Sequence, residues 1–139
     1  MREILFRGKR PNGCWVQGDL TQFCIDGVMT SKISNHDLRA TLNGLRVSTY
    51  TNDVIPETVG QYTGLTDKNG KKIFEGDIVK DEQAQMLGKV VYATATDGFD
   101  GMAGFMVDDI DDGLQNYNGF WHLVEVIGNI HDKPELLKG

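Results

Sequence analysis

Apolar and polar residues alternate along this chain over short runs, and turn residues cut the runs, so the dominant period is that of β-strands. Within residues 2–8, Ile4 and Phe6 fall on one face of an extended segment, with Glu3, Leu5 and Arg7 on the other. Arg10-Pro11-Asn12-Gly13 follows: proline holds φ at about −65° as a type I turn needs, and glycine supplies φ > 0. This predicts a hairpin into residues 14–20, where Cys14, Val16, Gly18 and Leu20 form the mostly apolar face and Trp15, Gln17 and Asp19 the other. Asp26-Gly27 marks a second turn, between Phe23-Cys24-Ile25 and Val28-Met29.

The alternation weakens over residues 30–43, where Ser34 as a cap and Asp37 reaching back to it predict a helix of a turn or two. Residues 45–50 return to β character, Thr51-Asn52-Asp53 ends that strand, and Pro56 holds Ile55 out of helical geometry, so residues 54–59 read as extended. In Asp67-Lys68-Asn69-Gly70, Asp67 is placed to accept from the turn amides and Gly70 to take φ > 0, which joins residues 62–66 to 71–75 in a hairpin. Its charged members Asp67, Lys68, Lys71 and Lys72 fit a solvated tip.

Glu75-Gly76-Asp77 redirects the chain before Ile78-Val79, and Gly88-Lys89-Val90-Val91-Tyr92 follows, a succession like the start of small SH3-like barrels. Residues 93–119 are rich in Gly and Asp around an apolar run at 103–107. Residues 120–130 read as a last strand, with Trp121, Leu123, Glu125 and Ile127 on one face and Phe120, His122, Val124 and Val126 on the other. Two apolar faces imply a central or sandwiched strand. Asp132-Lys133-Pro134-Glu135 caps a helical turn that carries Leu136 and Leu137. The expected fold is mainly β: a small antiparallel barrel or roll, with a β-rich N-terminal subdomain at residues 1–60. Residues 61–139 are expected to form an SH3-like part with a short C-terminal helical turn.

Composition narrows the classes. No apolar run approaches the ~20 residues of a membrane span. Charges near the N-terminus break any secretory apolar region, so the expected compartment is the cytoplasm. There, Cys14 and Cys24 read as free thiols, and no Cys or His pair lies beside them at metal-ligand spacing. The net charge of −6 is uneven, since residues 1–50 hold seven Lys or Arg against four acids and residues 51–139 hold seven against sixteen. The acidic balance opposes indiscriminate binding to a polyanion, yet all five arginines (Arg2, Arg7, Arg10, Arg39 and Arg46) fall in the first part.

Three stretches carry a family likeness. Thr58-Val59-Gly60-Gln61-Tyr62-Thr63-Gly64-Leu65-Thr66-Asp67-Lys68-Asn69-Gly70-Lys71 runs on into Phe74-Glu75-Gly76-Asp77-Ile78-Val79. Residues 125–137 read Glu-Val-Ile-Gly-Asn-Ile-His-Asp-Lys-Pro-Glu-Leu-Leu, and the opening holds Ile4-Leu5-Phe6-Arg7-Gly8-Lys9-Arg10 with Gly13-Cys14-Trp15-Val16 and Gly18. Together they resemble the YopX family of phage and prophage proteins. The resemblance implies a small β-rich protein with an SH3-type barrel, encoded among phage genes, and it defines no catalytic residue to carry over.

Candidate chemistry is sparse. Fitting residues 108–113 to a calcium loop puts Ile110 at a ligand position and Gly119 where a bidentate Glu belongs, and fitting Gly70 leaves Leu65 first and Gly76 last, so no metal is expected. Gly98, Gly101 and Gly104 have neither Rossmann nor P-loop spacing, and no cofactor is expected. His36 has only the adjacent Asp37, His122 reads as a core residue among valines, and Glu125 suits an ion pair. Without a nucleophile motif no catalytic residue is assigned.

Two surfaces remain. Arg7, Lys9 and Arg10 beside Trp15 suit a nucleic-acid contact, with guanidinium on phosphate and ring on base. Asp108, Asp109, Asp111 and Asp112 form a solvated acidic loop beside Tyr117 and Phe120 that suits a protein partner. The leading expectation is a non-enzymatic phage accessory protein that binds a host or phage protein, with nucleic acid as the alternative ligand. A homo-oligomer is compatible with both readings.

Overall fold

A computed structural model describes residues 4–93 and 104–138, so Gly98 and Gly101 lie outside the described residues. The fold is mainly β, and among the described residues every strand pairing is antiparallel. The chain divides into two compact units, Met1–Gln61 and Tyr62–Gly139.

The first unit is a meander of β1 (Phe6–Lys9), β2 (Trp15–Ile25), β3 (Val28–Thr41) and β4 (Gly44–Val54), and β1 also pairs with Gly60 and Gln61 at the start of β5 (Gly60–Thr66). Both expected turns are present. Gly13 has φ +92° and donates to the Arg10 carbonyl at 2.8 Å, while Asp26 and Gly27, at φ +51° and +81°, make the two-residue turn whose twist suits a hairpin.

The expected helix at Ser34 is absent, and β3 runs straight through it. Ser34 hydrogen-bonds the Thr51 hydroxyl at 3.2 Å, and β3 is paired along both edges, to β2 and to β4. Backbone bonding to two neighbours outweighs a local capping preference. For the same reason β4 does not stop at Thr51 but continues to Val54, opposite Ser31. Ile33, Ser31 and Val54 form the buried centre of this sheet. Gly8 lies against Val54, where an added β-carbon would sit 2.9 Å from the valine side chain. Ile55 is extended at φ −72° and ψ 119°, as expected before proline, but Pro56–Thr58 closes into a 3-10 turn rather than continuing extended.

In the second unit the rest of β5 pairs with β6 (Lys72–Phe74) across the turn Asp67 to Gly70. A five-stranded sheet follows, built from β7 (Asp77–Asp81), β8 (Met86–Ala93), β9 (Gly104–Asp109), β10 (Gly113–Gln115) and β11 (Glu125–Asn129). Its order, β10-β9-β8-β7-β11, brings the last strand back to the first and leaves β10 and β11 at the edges, which makes an open roll rather than a closed barrel. Ile73, Val79, Met86, Val90, Val107, Trp121 and Val124 form the core. The segment 134–138 is the expected C-terminal turn, in 3-10 form.

Three expectations for this unit need correction. Residues 120–130 are not one strand, because Trp121–Leu123 is a 3-10 turn and only β11 is extended. Trp121 and Val124 are three apart, which stacks them on one side of a helix with three residues per turn, and both reach the core from there. That spacing is what imitated a strand with two apolar faces. β11 is an edge strand of half-buried residues, not a central one, and His122 is exposed rather than in the core.

Asp67, expected at a solvated tip, is buried at 4% exposure. One carboxylate oxygen accepts from the amides of Asn69 and Lys71, each at 2.9 Å, and the other accepts from Val126, also at 2.9 Å, tying the hairpin to β11. Burial alone would raise its pKa. The bonds from Val126, Lys71 and Asn69, with the Lys71 charge, outweigh that and hold it below the usual carboxylate value.

Glu125 does form an ion pair, with Lys68 at 3.4 Å. Cys14 and Cys24 are free and exposed. Among the described residues no helix is long and apolar enough to cross a membrane.

Candidate functional site

A surface concavity lies in the second unit, between the β7–β8 turn and the segment after β10. β7 ends at Asp81, whose Oδ1 accepts from the amides of Gln83 at 3.1 Å and Ala84 at 3.3 Å and so folds the turn back on itself. After β10, Asn116 accepts from the amide of Asn118, Phe120 donates to the Tyr117 carbonyl at 2.8 Å, and Leu123 donates to Phe120 at 3.0 Å. These tight turns send Trp121 into the core and leave Phe120 and Leu123 outside, 56% and 42% exposed. Tyr117 leans on Trp121 with ring centroids 5.9 Å apart, and its hydroxyl donates to Asp81 Oδ2 at 3.3 Å.

A cavity of about 390 Å³ opens among Asp81, Gln83, Tyr117, Phe120 and Leu123. It shares Asp81, Gln83 and Leu123 with a neighbour of about 220 Å³ that adds Lys68, Glu82 and His122. A third, of about 340 Å³, shares His122 and continues past Trp121 to Leu65 and Thr66. The three form a chain of depressions around residues 120–123.

Burial pushes the Tyr117 phenol up to about 12, and the charge and hydrogen bond of Asp81 add to it, with a further contribution from the Asp109 charge. In a titration followed at the phenolate absorbance, one of the four tyrosines is expected to ionise near 12, and Asp81→Asn is expected to lower that transition towards 10. Because the folded value is the higher one, this tyrosine's stabilising contribution is complete below pH 10 and lost between 10 and 12.

The acidic loop differs from its expected form. Asp109 ends β9 at 7% exposure, and its Oδ1 accepts from the Asp111 amide at 2.8 Å, so it builds the β9–β10 turn rather than a solvated patch. Asp111 and Asp112 are exposed. Tyr117 and Phe120 line one cavity, where the Tyr117 hydroxyl donates to Asp81, 36 residues away in sequence. Asp81, Gln83 and Leu123 carried no local signal beyond an Asp at a strand end.

On the first unit, the register Lys9↔Trp15 and Arg7↔Gln17 gathers Arg7, Lys9 and Trp15 on one face of β1 and β2. The Arg7 guanidinium stands 4.9 Å from the centre of the Trp15 ring, taking up a ring face on which a base would stack. Arg10 lies in the adjoining turn, half-buried.

His36 pairs across the sheet. Nε2 is 2.9 Å from Asp19 and Nδ1 is 3.1 Å from the Thr49 hydroxyl. The order Thr, His, Asp resembles a nucleophile relay. Its imidazole and carboxylate are 49% and 69% exposed, however, and the row acts as a polar ladder between strands. Among the described residues no cluster of three His, Cys, Asp or Glu is arranged to hold a metal.

The sequence model of the YopX protein family matches residues 5–138. The chain belongs to the YopX family. Among solved structures, this YopX chain is similar to the crystal structure of protein EF1440 from Enterococcus faecalis, with a TM-score of 0.59, 24% identity and 99% of each chain covered. At that identity the likeness is one of fold. No curated protein matches the chain.

Proposed function

We propose that this YopX chain is a non-enzymatic phage or prophage accessory protein that acts in the cytoplasm of a bacterial host by binding another protein. The observation that carries the reading is the surface of the second unit, where Phe120 and Leu123 stand exposed beside Tyr117 in a string of open cavities. Contiguous exposed apolar side chains rimmed by polar ones mark interaction surfaces. The sheet order, with a 3-10 turn before a last strand that returns to the first, supports reading the second unit as an SH3-like module. That comparison is one of fold and supports the module, not a ligand.

The test compares capture from infected-host lysate by the native chain and by the double variant Phe120→Ser, Leu123→Ser, both shown folded by circular dichroism. Proteins held by the native chain and released by the variant are the expected result, while identical capture by both overturns the reading. Labelled DNA and RNA at low salt are expected to stay unbound. Binding that disappears on charge reversal at Arg7, Lys9 and Arg10 would move the function to the first unit.

A further inference from the structure

Asp81 is the most buried carboxylate facing the groove, at 6% exposure, and it lines both of the first two cavities. Nearby lysines are committed elsewhere: Lys80 to Glu82 at 3.2 Å and Lys68 to Glu125 at 3.4 Å. Among the described residues no cation comes within ion-pair distance of Asp81. Its Oδ1 is satisfied by two backbone amides, but Oδ2 has a single long hydrogen bond, from the Tyr117 hydroxyl at 3.3 Å. A carboxylate removed from water is stabilised most strongly by a cationic donor, and this one leaves an acceptor position for it.

The shape of the site bears on what brings that donor. A small molecule favours one enclosed pocket, whereas three open depressions joined through Asp81, Gln83, Leu123 and His122 match a chain laid along them. Residues 62–139 carry seven Lys against fourteen Asp or Glu, a net of −7, which attracts a basic chain and repels a polyanion.

We infer that the groove takes an extended segment of a partner protein bearing a lysine or arginine, whose cationic head pairs with Asp81 while flanking apolar residues lie on Tyr117, Phe120 and Leu123. This rests on the protein-binding reading above and adds the chemistry of the partner.

The test is selection of a random dodecapeptide display library on the full chain, followed by calorimetry with the enriched peptides made synthetically. Enriched peptides are expected to share a Lys or Arg at a fixed spacing from an aliphatic or aromatic residue. Replacing that Lys or Arg by glutamine is expected to weaken binding about tenfold or more. Asp81→Asn, which keeps one oxygen for the turn amides, is expected to cause a similar loss, and the two changes together little more than either alone. The peptide-side substitution reads the pair even if the Asp81 variant folds poorly. Peptides that need Phe120 and Leu123 but carry no basic residue, or lose nothing with it, overturn the inference and leave the protein-binding reading standing. Failure to enrich any peptide dependent on Phe120 and Leu123 overturns both.

Discussion

Asp67→Ala is expected to lower the unfolding free energy by about 3–5 kcal/mol, the loss of three hydrogen bonds to a buried charged carboxylate, each worth about 1.5–3 kcal/mol. The donors are the amides of Asn69, Lys71 and Val126, and the last of these fastens the hairpin to β11. Asp67→Asn, which keeps one acceptor oxygen, is expected to lose roughly half as much. Urea denaturation followed by circular dichroism measures both, and an alanine variant within about 1 kcal/mol of the native chain would show that water replaces the carboxylate.

The pH dependence gives a second readout. The folded pKa lies below the unfolded one, so this stabilisation is complete above the ordinary carboxylate value and is lost as pH falls through the folded value. Between neutral pH and strong acid the Asp67→Asn variant is therefore expected to lose less stability than the native chain.

Trp121→Ala is expected to cost about 3–5 kcal/mol, the range for deleting a large aromatic from a core. Trp121 is 3% exposed and packs in the cluster with Val79, Val90, Val107 and Val124. It also backs Tyr117, so the same variant removes part of the burial that is the main cause of the tyrosine's high pKa. A lowered tyrosine titration together with lost stability is the expected pair of results. Lost stability with Tyr117 still ionising near 12 would show that the groove wall stands without the tryptophan.

What the sequence made legible is what local chemistry decides. The turns at Arg10 to Gly13, Asp26-Gly27 and Asp67 to Gly70 each need particular residues at particular φ values, and each is where those residues predict it. The same local reading failed where partners are distant. Ser34 looks like a cap until Thr51 stands beside it, and Asp67 looks solvated until Val126, 59 residues on, donates to it. In the candidate site Tyr117 and Phe120 were visible as exposed aromatics near acid. Asp81 was not, because its place depends on a strand end meeting a loop 36 residues away. The mistaken strand at 120–130 shows a further limit, since a 3-10 turn and a strand put apolar residues in the core at spacings that overlap over a few positions.

The pairing of β11 with β7 also sets an order of events during synthesis. β7, β8 and β9 can zip together as neighbours while the chain is still emerging, but β7 keeps a bare edge until residues 125–129 have left the ribosome. Contacts between segments so far apart form slowly, because a long loop must close first. The hydrogen bond from Val126 to Asp67 belongs to that last event, and it follows directly after the segment that walls the groove. A nascent chain stalled before residue 125 would hold Tyr117 and Phe120 with no final strand to anchor them, so the groove takes its shape only once residues 125–129 have paired with β7.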